Sequence, residues 1–161
     1  MKKYKWLIIL FNLILLLGYF NYSVIKKEDL LKNGQLILLE LAPVDPRSLM
    51  QGDYMSLRYA IANTIGTEGI LKRGYCVVTL DKNGVAHRVR FQENKTPLKA
   101  GEYLINYTSD DWNVNIGAES FFFQEGHAKK YETAAYGGIK IDGNGNSLLI
   151  GLYDKNLKKI N

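Results

Sequence analysis

The pattern of apolar and polar residues divides the chain into one long hydrophobic segment and a longer region of short alternating segments. Residues 6–25 carry no charged side chain, and over residues 6–20 only Asn12 and Gly18 interrupt the apolar run. A helix of 20 residues is about 30 Å long, the thickness of the hydrocarbon core of a bilayer. We therefore predict that residues 6–25 form a transmembrane helix in contact with the lipid bilayer, and residues 26–34 a short helical stalk.

This hydrophobic segment has two alternative fates, an uncleaved signal anchor or a cleaved signal peptide. We favour the anchor, because the exit of the segment lacks the small-x-small pattern that a signal peptidase requires. Residues 1–5 carry three lysines, so the positive-inside rule predicts a cytoplasmic tail. The remaining chain is then extracytoplasmic and is held by a single pass in the cytoplasmic (inner) membrane.

Residues 35–153 have the pattern of an antiparallel β protein. Asp-Lys-Asn-Gly at residues 81–84 and Asp-Gly-Asn-Gly at residues 142–145 are hairpin signals, since Asn-Gly accepts positive φ. Apolar segments predict about eight strands, at residues 35–42, 54–61, 76–80, 85–92, 102–107, 114–123, 137–141 and 147–153. Helical spacing indicates one soluble helix at residues 125–135. The prediction is a mainly β (β-rich α+β) fold, a small antiparallel barrel or sandwich with one short helix, followed by a polar C-terminal tail at residues 154–161.

Gly52 and Asp53 form a tight turn that leads into the second of these strands. Gly52 permits the turn, and the Asp53 carboxylate is expected to accept hydrogen bonds from backbone amides as an Asx-turn. Alternation separates the strand into two faces, with Met55, Leu57, Tyr59 and Ile61 on one and Tyr54, Ser56, Arg58 and Ala60 on the other. Leu57 and Tyr59 are expected to pack in the core, and Tyr54 to bury its ring and anchor its hydroxyl group.

Residues 52–59, Gly-Asp-Tyr-Met-Ser-Leu-Arg-Tyr, resemble the signature of the GDYXXLXY family, a group of membrane-associated bacterial proteins without an assigned activity. The resemblance extends to Pro-Val-Asp-Pro-Arg at residues 43–47, to an aromatic strand ending in Glu-Gly at residues 117–126, and to the closing hairpin at residues 137–152. Family members are often encoded beside polytopic membrane proteins. The resemblance therefore implies a polytopic membrane-protein partner.

Two interpretations of the motif remain open at this stage. In the first, four charged side chains and two tyrosines form a binding surface at one end of the sheet. In the second, which we favour, the motif is structural. The candidate binding residues are Asp45, Arg47, Gly52, Asp53, Tyr54, Leu57, Arg58 and Tyr59.

No catalytic residue, metal site or cofactor is assigned from the sequence. The two histidines, His87 and His127, lack the His-x-His or His-x-x-x-His spacing of metal sites. Cys76 is the single cysteine, so an internal disulfide is excluded. The net charge of +5 includes the lysines that flank the hydrophobic segment, so it does not predict a nucleic-acid surface.

We therefore predict a non-enzymatic extracytoplasmic module that binds a membrane-protein partner. The alternative is an extracytoplasmic hydrolase with a degenerate or unrecognised signal-peptidase-like site. Signal-peptidase-type proteases have their nucleophilic serine three residues before a proline, where this chain has Pro43. An unrecognised site would use Glu119, His87 or His127, and Asp53.

Overall fold

The chain begins with one continuous helix, α1, over Lys2–Asn33. The computed structural model describes residues 2–42, 54–63, 70–110 and 113–160. The segment Tyr4–Asn33 is long and apolar enough to cross a membrane. In its most apolar part, 0% of the residues are buried against the rest of the protein. The helix ends where the Gly34 N–H donates to the Leu30 carbonyl oxygen (2.9 Å). Residues 26–33 therefore continue the same helix, and the separate stalk at residues 26–34 stays a prediction.

Two asparagines in the apolar part of α1 donate a side-chain hydrogen bond to a backbone carbonyl oxygen of the same helix. The Asn12 Nδ2 donates to the Ile8 carbonyl oxygen (3.2 Å), and the Asn21 Nδ2 donates to that of Leu17 (2.8 Å). Such bonds to the preceding turn lower the cost of a polar side chain in an apolar environment.

In the described part of the chain, nine strands form three antiparallel groups. The first, in the order β1-β8-β9, contains β1 (Gln35–Glu40), β8 (Tyr136–Ile141) and β9 (Ser147–Tyr153). The second pairs β2 (Tyr54–Ser56) with β7 (Ser120–Phe122). The third, in the order β4-β3-β5-β6, contains β3 (Arg73–Leu80), β4 (Ala86–Gln92), β5 (Glu102–Ser109) and β6 (Val114–Asn115). The β-rich antiparallel class is confirmed, and the described strands do not close into a barrel.

Isolated bridges join the three groups around one core. Leu38 bridges Val85 and Leu41 bridges Tyr59, which connects β1 with the other two groups. The core draws buried side chains from every group, among them Ile37, Leu39, Met55, Val78, Ile105, Ile139 and Leu152. The three groups therefore form one packed unit rather than separate domains.

Both predicted hairpin turns are confirmed, and each is closed by an aspartate. The Asp81 Oδ1 accepts hydrogen bonds from the backbone N–H groups of Asn83 (2.8 Å) and Val85 (2.9 Å). The Asp142 Oδ1 accepts equivalent bonds from the N–H groups of Asn144 (2.8 Å) and Asn146 (2.9 Å). Hydrogen bonds to the backbone, the largest from the Val85 N–H, hold the pKa of Asp81 below its usual value.

Three predicted elements are shorter than the pattern indicated. The strand expected at residues 54–61 ends at Ser56, and a 3-10 helix follows over Ala60–Ala62. The strand expected at residues 114–123 is divided into β6 and β7, because Gly117 adopts a positive φ of 79°. The helix expected at residues 125–135 is a single turn, α2, over Ala128–Tyr131.

The C-terminal residues turn back onto the sheet. Tyr153 bridges Lys159, and the Ile160 N–H donates to the Leu152 carbonyl oxygen (2.9 Å). Ile160 packs against the core, so the described part of this polar segment covers the end of β9.

The register of β1 separates two ends of the sheet. Gln35, which follows the helix almost directly, pairs with Ile141, and Glu40 pairs with Tyr136. At about 3.4 Å per residue these two pairs are about 17 Å apart along the strand. The helix therefore adjoins the β8–β9 turn, and the segment that bridges Leu41 lies toward the opposite end.

Candidate functional site

The motif strand has an inward and an outward face. Buried side chains, each 2% exposed, form the inward face: Met55, Leu57 and Tyr59. Exposed side chains form the outward face: Tyr54, Ser56 and Arg58. The predicted alternation is confirmed, and it continues through Ile61, which is buried although it belongs to the 3-10 helix.

Backbone hydrogen bonds tie the motif to two other parts of the chain. Its first residues pair with β7, and the Leu57 N–H donates to the Glu119 carbonyl oxygen (2.6 Å). On its other side the Ala42 N–H donates to the Arg58 carbonyl oxygen (2.8 Å). The motif therefore joins the end of β1 to the aromatic segment at residues 117–126.

Tyr59 is the structural anchor of the motif. Its hydroxyl group donates to the Ala118 carbonyl oxygen (2.6 Å). Its ring lies against Gly137, where an added Cβ would stand 2.8 Å from the ring. Burial, with a smaller contribution from the Glu119 charge, raises the pKa of Tyr59, so the hydroxyl remains a donor. Tyr59 thus connects the motif to the aromatic segment and to the closing hairpin.

The Glu119 carboxylate is engaged in local structure. Its Oε1 accepts a short hydrogen bond from the Ile116 N–H, which closes the turn that contains Gly117. One oxygen of the Glu119 carboxylate is therefore committed to its own turn.

Tyr54 differs from its prediction. It is 40% exposed rather than buried, and its ring lies 5.8 Å from that of Phe122, which is 73% exposed. The two residues are directly opposite one another on β2 and β7, as are Ser56 and Ser120. We name the exposed set Tyr54, Ser56, Arg58, Ser120 and Phe122 the motif surface.

Two shallow cavities flank Arg58. One, of about 330 Å³, has a largely polar lining that includes Ser56, Asn63, Asn115 and Glu119. The other, of about 650 Å³, extends toward Tyr131, Glu132 and Lys155. Arg58, which is exposed, lines both cavities at the edge of the motif surface.

Four candidate residues lie outside the described residues: Asp45, Arg47, Gly52 and Asp53. The polar cluster that they would form with Arg58 stays a prediction. The described candidates divide into buried Leu57 and Tyr59 and exposed Tyr54 and Arg58.

The other chemically capable side chains are separated. His87 is exposed on β4, with its Nε2 3.7 Å from the Asp81 carboxylate. His127 lies directly before α2. Lys72 is exposed directly before β3. Among residues 2–42, 54–63, 70–110 and 113–160, no three His, Cys, Asp or Glu side chains are grouped to hold a metal ion.

Cys76 is a core residue. It is 1% exposed on β3 and is a free thiol. Burial raises the pKa of the Cys76 thiol to about 12, which leaves it protonated at neutral pH. Cys76 therefore acts as a small apolar core residue.

Sequence reasoning missed Phe122 and Gly137. Three consecutive phenylalanines occupy residues 121–123. Alternation along a strand requires only that the middle side chain point to the opposite face from its two neighbours. It does not say which face is buried. The close approach of Gly137 to Tyr59 joins residues far apart in sequence, and no local pattern indicates it.

Comparison with known proteins gives one match. The profile of the family described as GDYXXLXY protein matches residues 16–152, which includes the C-terminal part of α1 and most of the β region. No curated protein and no solved structure matches the chain. The octapeptide, the aromatic segment and the closing hairpin, which carry the resemblance in sequence, also contact one another through Tyr59. The chain belongs to the GDYXXLXY family.

Proposed function

We propose that this protein is a non-enzymatic, membrane-anchored module that binds a polytopic membrane protein. Residues 1–5 are its cytoplasmic tail, residues 6–25 its uncleaved span in the cytoplasmic (inner) membrane, and residues 26–34 its stalk. Residues 35–153 form the extracytoplasmic domain. The exposed side chains of α1 and its uninterrupted continuation to Asn33 support the anchor.

The observation that carries the binding role is the exposed aromatic pair of Tyr54 and Phe122. Aromatic residues and arginine are enriched at the energetic centres of protein interfaces. Here the aromatic pair occurs on two segments that belong to the family match, and Arg58 lies on the same outward face, two residues after β2. A protein confined to the same membrane would meet this surface at a raised effective concentration.

The alternative of a hydrolase receives less support from the contacts. Glu119 is bonded within its own turn, and His87 pairs with Asp81 in a different hairpin. No catalytic dyad is assembled from these side chains among the described residues. A non-enzymatic role therefore fits the described geometry better.

Topology is tested by reporter fusions after the C-terminus. An alkaline phosphatase fusion should be active and a reporter that works only in the cytoplasm inactive. Activity of the cytoplasmic reporter alone would reverse the orientation. Recovery of the domain in a soluble fraction with a new N-terminus would identify cleavage rather than anchoring.

The binding role is tested by gentle solubilisation of native membranes and purification of the full chain through a C-terminal tag. We expect a stoichiometric polytopic partner with the unmodified chain, and loss of that partner with Tyr54→Ser/Phe122→Ser. Val89→Ser is the matched control, because Val89 is also an exposed apolar side chain (49%) but lies on β4.

If Tyr54→Ser/Phe122→Ser retains the partner as well as Val89→Ser does, the motif surface is not part of the interface. The purified protein is also assayed with peptide, glycan and ester substrates. A monomer with turnover that is abolished by Glu119→Gln or His87→Ala would contradict the binding module and support the hydrolase.

A further inference from the structure

A cleft lies between the last turns of α1 and the adjoining end of the sheet. Its volume is about 910 Å³. The helix contributes Lys26, Lys27 and Leu30, and the facing wall includes Asn106 on β5 and Asn144 in the β8–β9 turn. None of the described motif residues, 54–59, lines it, so the cleft is separate from the motif surface.

The two cleft lysines directly follow the proposed span. Lys26 is the first residue after residues 6–25, so Lys26 and Lys27 stand about 2–3 Å beyond the end of the span. The headgroup layer on each side of the hydrocarbon core is about 5–8 Å thick. The helix side of the cleft therefore opens within the layer that contains lipid phosphates.

The carboxylates of the cleft already have partners. The Asp29 Oδ1 accepts a hydrogen bond from the Asn33 Nδ2 (2.6 Å). Asp142 accepts bonds from Asn144 and Asn146 in its own turn. Glu102, the third cleft carboxylate, is likewise engaged, by the guanidinium group of Arg90 (2.7 and 2.8 Å).

The lysines, in contrast, form no salt bridge among the described residues, although a hydrogen bond with the Tyr22 hydroxyl and the charge of Asp142 act on Lys26. The Lys26 Nζ lies 4.6 Å from the centroid of the Tyr22 ring. Among the described residues, Lys32–Glu28 is the salt bridge of this helix, and neither Lys26 nor Lys27 forms one. An ammonium group has three donors, so Lys26 keeps donors beyond the one directed at Tyr22, and both lysines line a cleft whose carboxylates are bonded to other residues.

The cleft also has an apolar part. Leu98, which is 43% exposed, lines it together with Leu30, Leu104 and Ile141. A cleft that combines ammonium groups, amide side chains and exposed leucine matches a ligand with an anionic head and an adjoining apolar portion.

We propose that this cleft binds the phosphate headgroup of an anionic phospholipid. Lys26 and Lys27 contact the phosphate, the asparagine side chains of the opposite wall contact the polar headgroup, and Leu98 contacts the glycerol and upper acyl region. The inference rests on the proposed membrane span of α1, because the span sets the depth of the cleft.

The test uses the full chain in detergent, titrated with phosphatidylglycerol and followed by native mass spectrometry. Each lysine near an anionic lipid contributes on the order of 1 kcal/mol. Lys26→Gln/Lys27→Gln is therefore expected to weaken binding of the tightest-bound lipid about 30-fold, equivalent to about 2 kcal/mol. Lys129→Gln/Lys130→Gln is the matched control, since this adjacent lysine pair lies in α2, outside the cleft.

A second variant separates the cleft from general charge attraction. Leu98→Trp fills the cleft without a change in charge and is also expected to weaken binding. Two results would overturn the cleft site in favour of diffuse electrostatic attraction. One is an unchanged lipid affinity of Leu98→Trp, and the other is an equal loss of lipid affinity in Lys26→Gln/Lys27→Gln and Lys129→Gln/Lys130→Gln. Displacement of the lipid by millimolar inorganic phosphate would identify a soluble phosphate ligand and overturn the lipid assignment.

Failure of the lipid site and failure of the anchor give different results. Each variant is also expressed in cells, and its membranes are extracted at alkaline pH. Retention in the membrane with no affinity difference overturns the lipid site alone. Release of the unmodified chain by alkaline extraction overturns the proposed span as well.

Discussion

The two faces of the motif strand are made of neighbouring residues but have opposite environments. Leu57 and Tyr59 are each 2% exposed and contact the core, whereas Tyr54 and its cross-strand neighbour Phe122 are 40% and 73% exposed. One short segment therefore both holds the fold together and presents aromatic side chains to solvent. The structural interpretation of the motif therefore concerns its inward side chains, and the proposed binding role concerns its outward side chains.

This contrast shows why a sequence signature alone leaves the role of each residue undecided. Tyrosine stands at the start and at the end of residues 54–59, but only Tyr59 has its hydroxyl bonded within the fold. The difference arises from what lies opposite each ring: Ala118 and Gly137 against Tyr59, and Phe122 against Tyr54. Variants of the two faces should therefore separate stability from binding.

The largest loss of stability is expected for Leu57→Ala. Removal of a fully buried leucine side chain typically lowers the free energy of unfolding by about 2–5 kcal/mol through lost burial and a residual cavity. The measurement is thermal and denaturant unfolding of the full chain in detergent, followed by near-ultraviolet circular dichroism. A change below about 1 kcal/mol would contradict the assignment of Leu57 to the core.

The next effect is expected for Gly137→Ala. The new Cβ would stand 2.8 Å from the Tyr59 ring, which cannot move freely because its hydroxyl is bonded to Ala118. Overpacking of this kind costs about 1–3 kcal/mol. Gly143→Ala is the control, since an added Cβ there has no neighbour within 4 Å. Equal stability of the two variants would mean that Tyr59 is not held in place.

Tyr59→Phe should cost somewhat less. It keeps the ring and removes the hydroxyl, so the Ala118 carbonyl loses its donor. The expected loss is about 1–2 kcal/mol. Tyr54→Phe is the matched control on the outward face and should leave unfolding unchanged. The comparison between the faces breaks down if the two tyrosine variants are destabilised to the same extent.

Acid should destabilise the fold through a residue remote from both faces. Hydrogen bonds from Arg90, together with the Lys99 N–H, lower the pKa of Glu102 to about 2. Because this pKa is depressed in the folded state, the stabilisation is present above the unfolded value of about 4.3 and is lost as pH falls toward about 2. Glu102→Gln should flatten the decline of the melting temperature between about pH 5 and pH 2.

Glu93→Gln provides the control for this titration, because Glu93 is exposed in the connector before Glu102. Variants of the motif strand should keep the acid dependence of the unmodified chain, since Arg90 and Glu102 belong to the four-stranded group. An unchanged slope in Glu102→Gln would assign the acid sensitivity to other carboxylates.

The smallest effect on stability is expected for Phe122→Ser. Substitutions of exposed side chains usually change the free energy of unfolding by less than about 0.5 kcal/mol. A partner that uses the aromatic pair as an interface centre should nevertheless bind about 30-fold more weakly, a loss of about 2 kcal/mol. A stability loss comparable with that of Leu57→Ala would show that Phe122 is structural.

The sequence by itself determined the features that depend on local chemistry. The charge-free run of residues 6–25 requires an apolar helix, and both Asp-x-Asn-Gly segments close hairpins through the same pattern of aspartate hydrogen bonds. The alternation of residues 54–61 correctly separated buried from exposed side chains, because neighbouring residues of an extended chain point in opposite directions. The family signature can also be recognised from the sequence, since it is a contiguous motif.

Only the tertiary structure decided which segments meet. Residues 114–123 contribute to two different groups of strands, and the expected helix at residues 125–135 is reduced to one turn whose Tyr131 packs on Phe121 and Phe123. Whether a tyrosine is buried depends on its partners across the sheet, and those partners are distant in sequence. Local pattern specifies the direction of each side chain, but the environment that it meets is set by long-range packing.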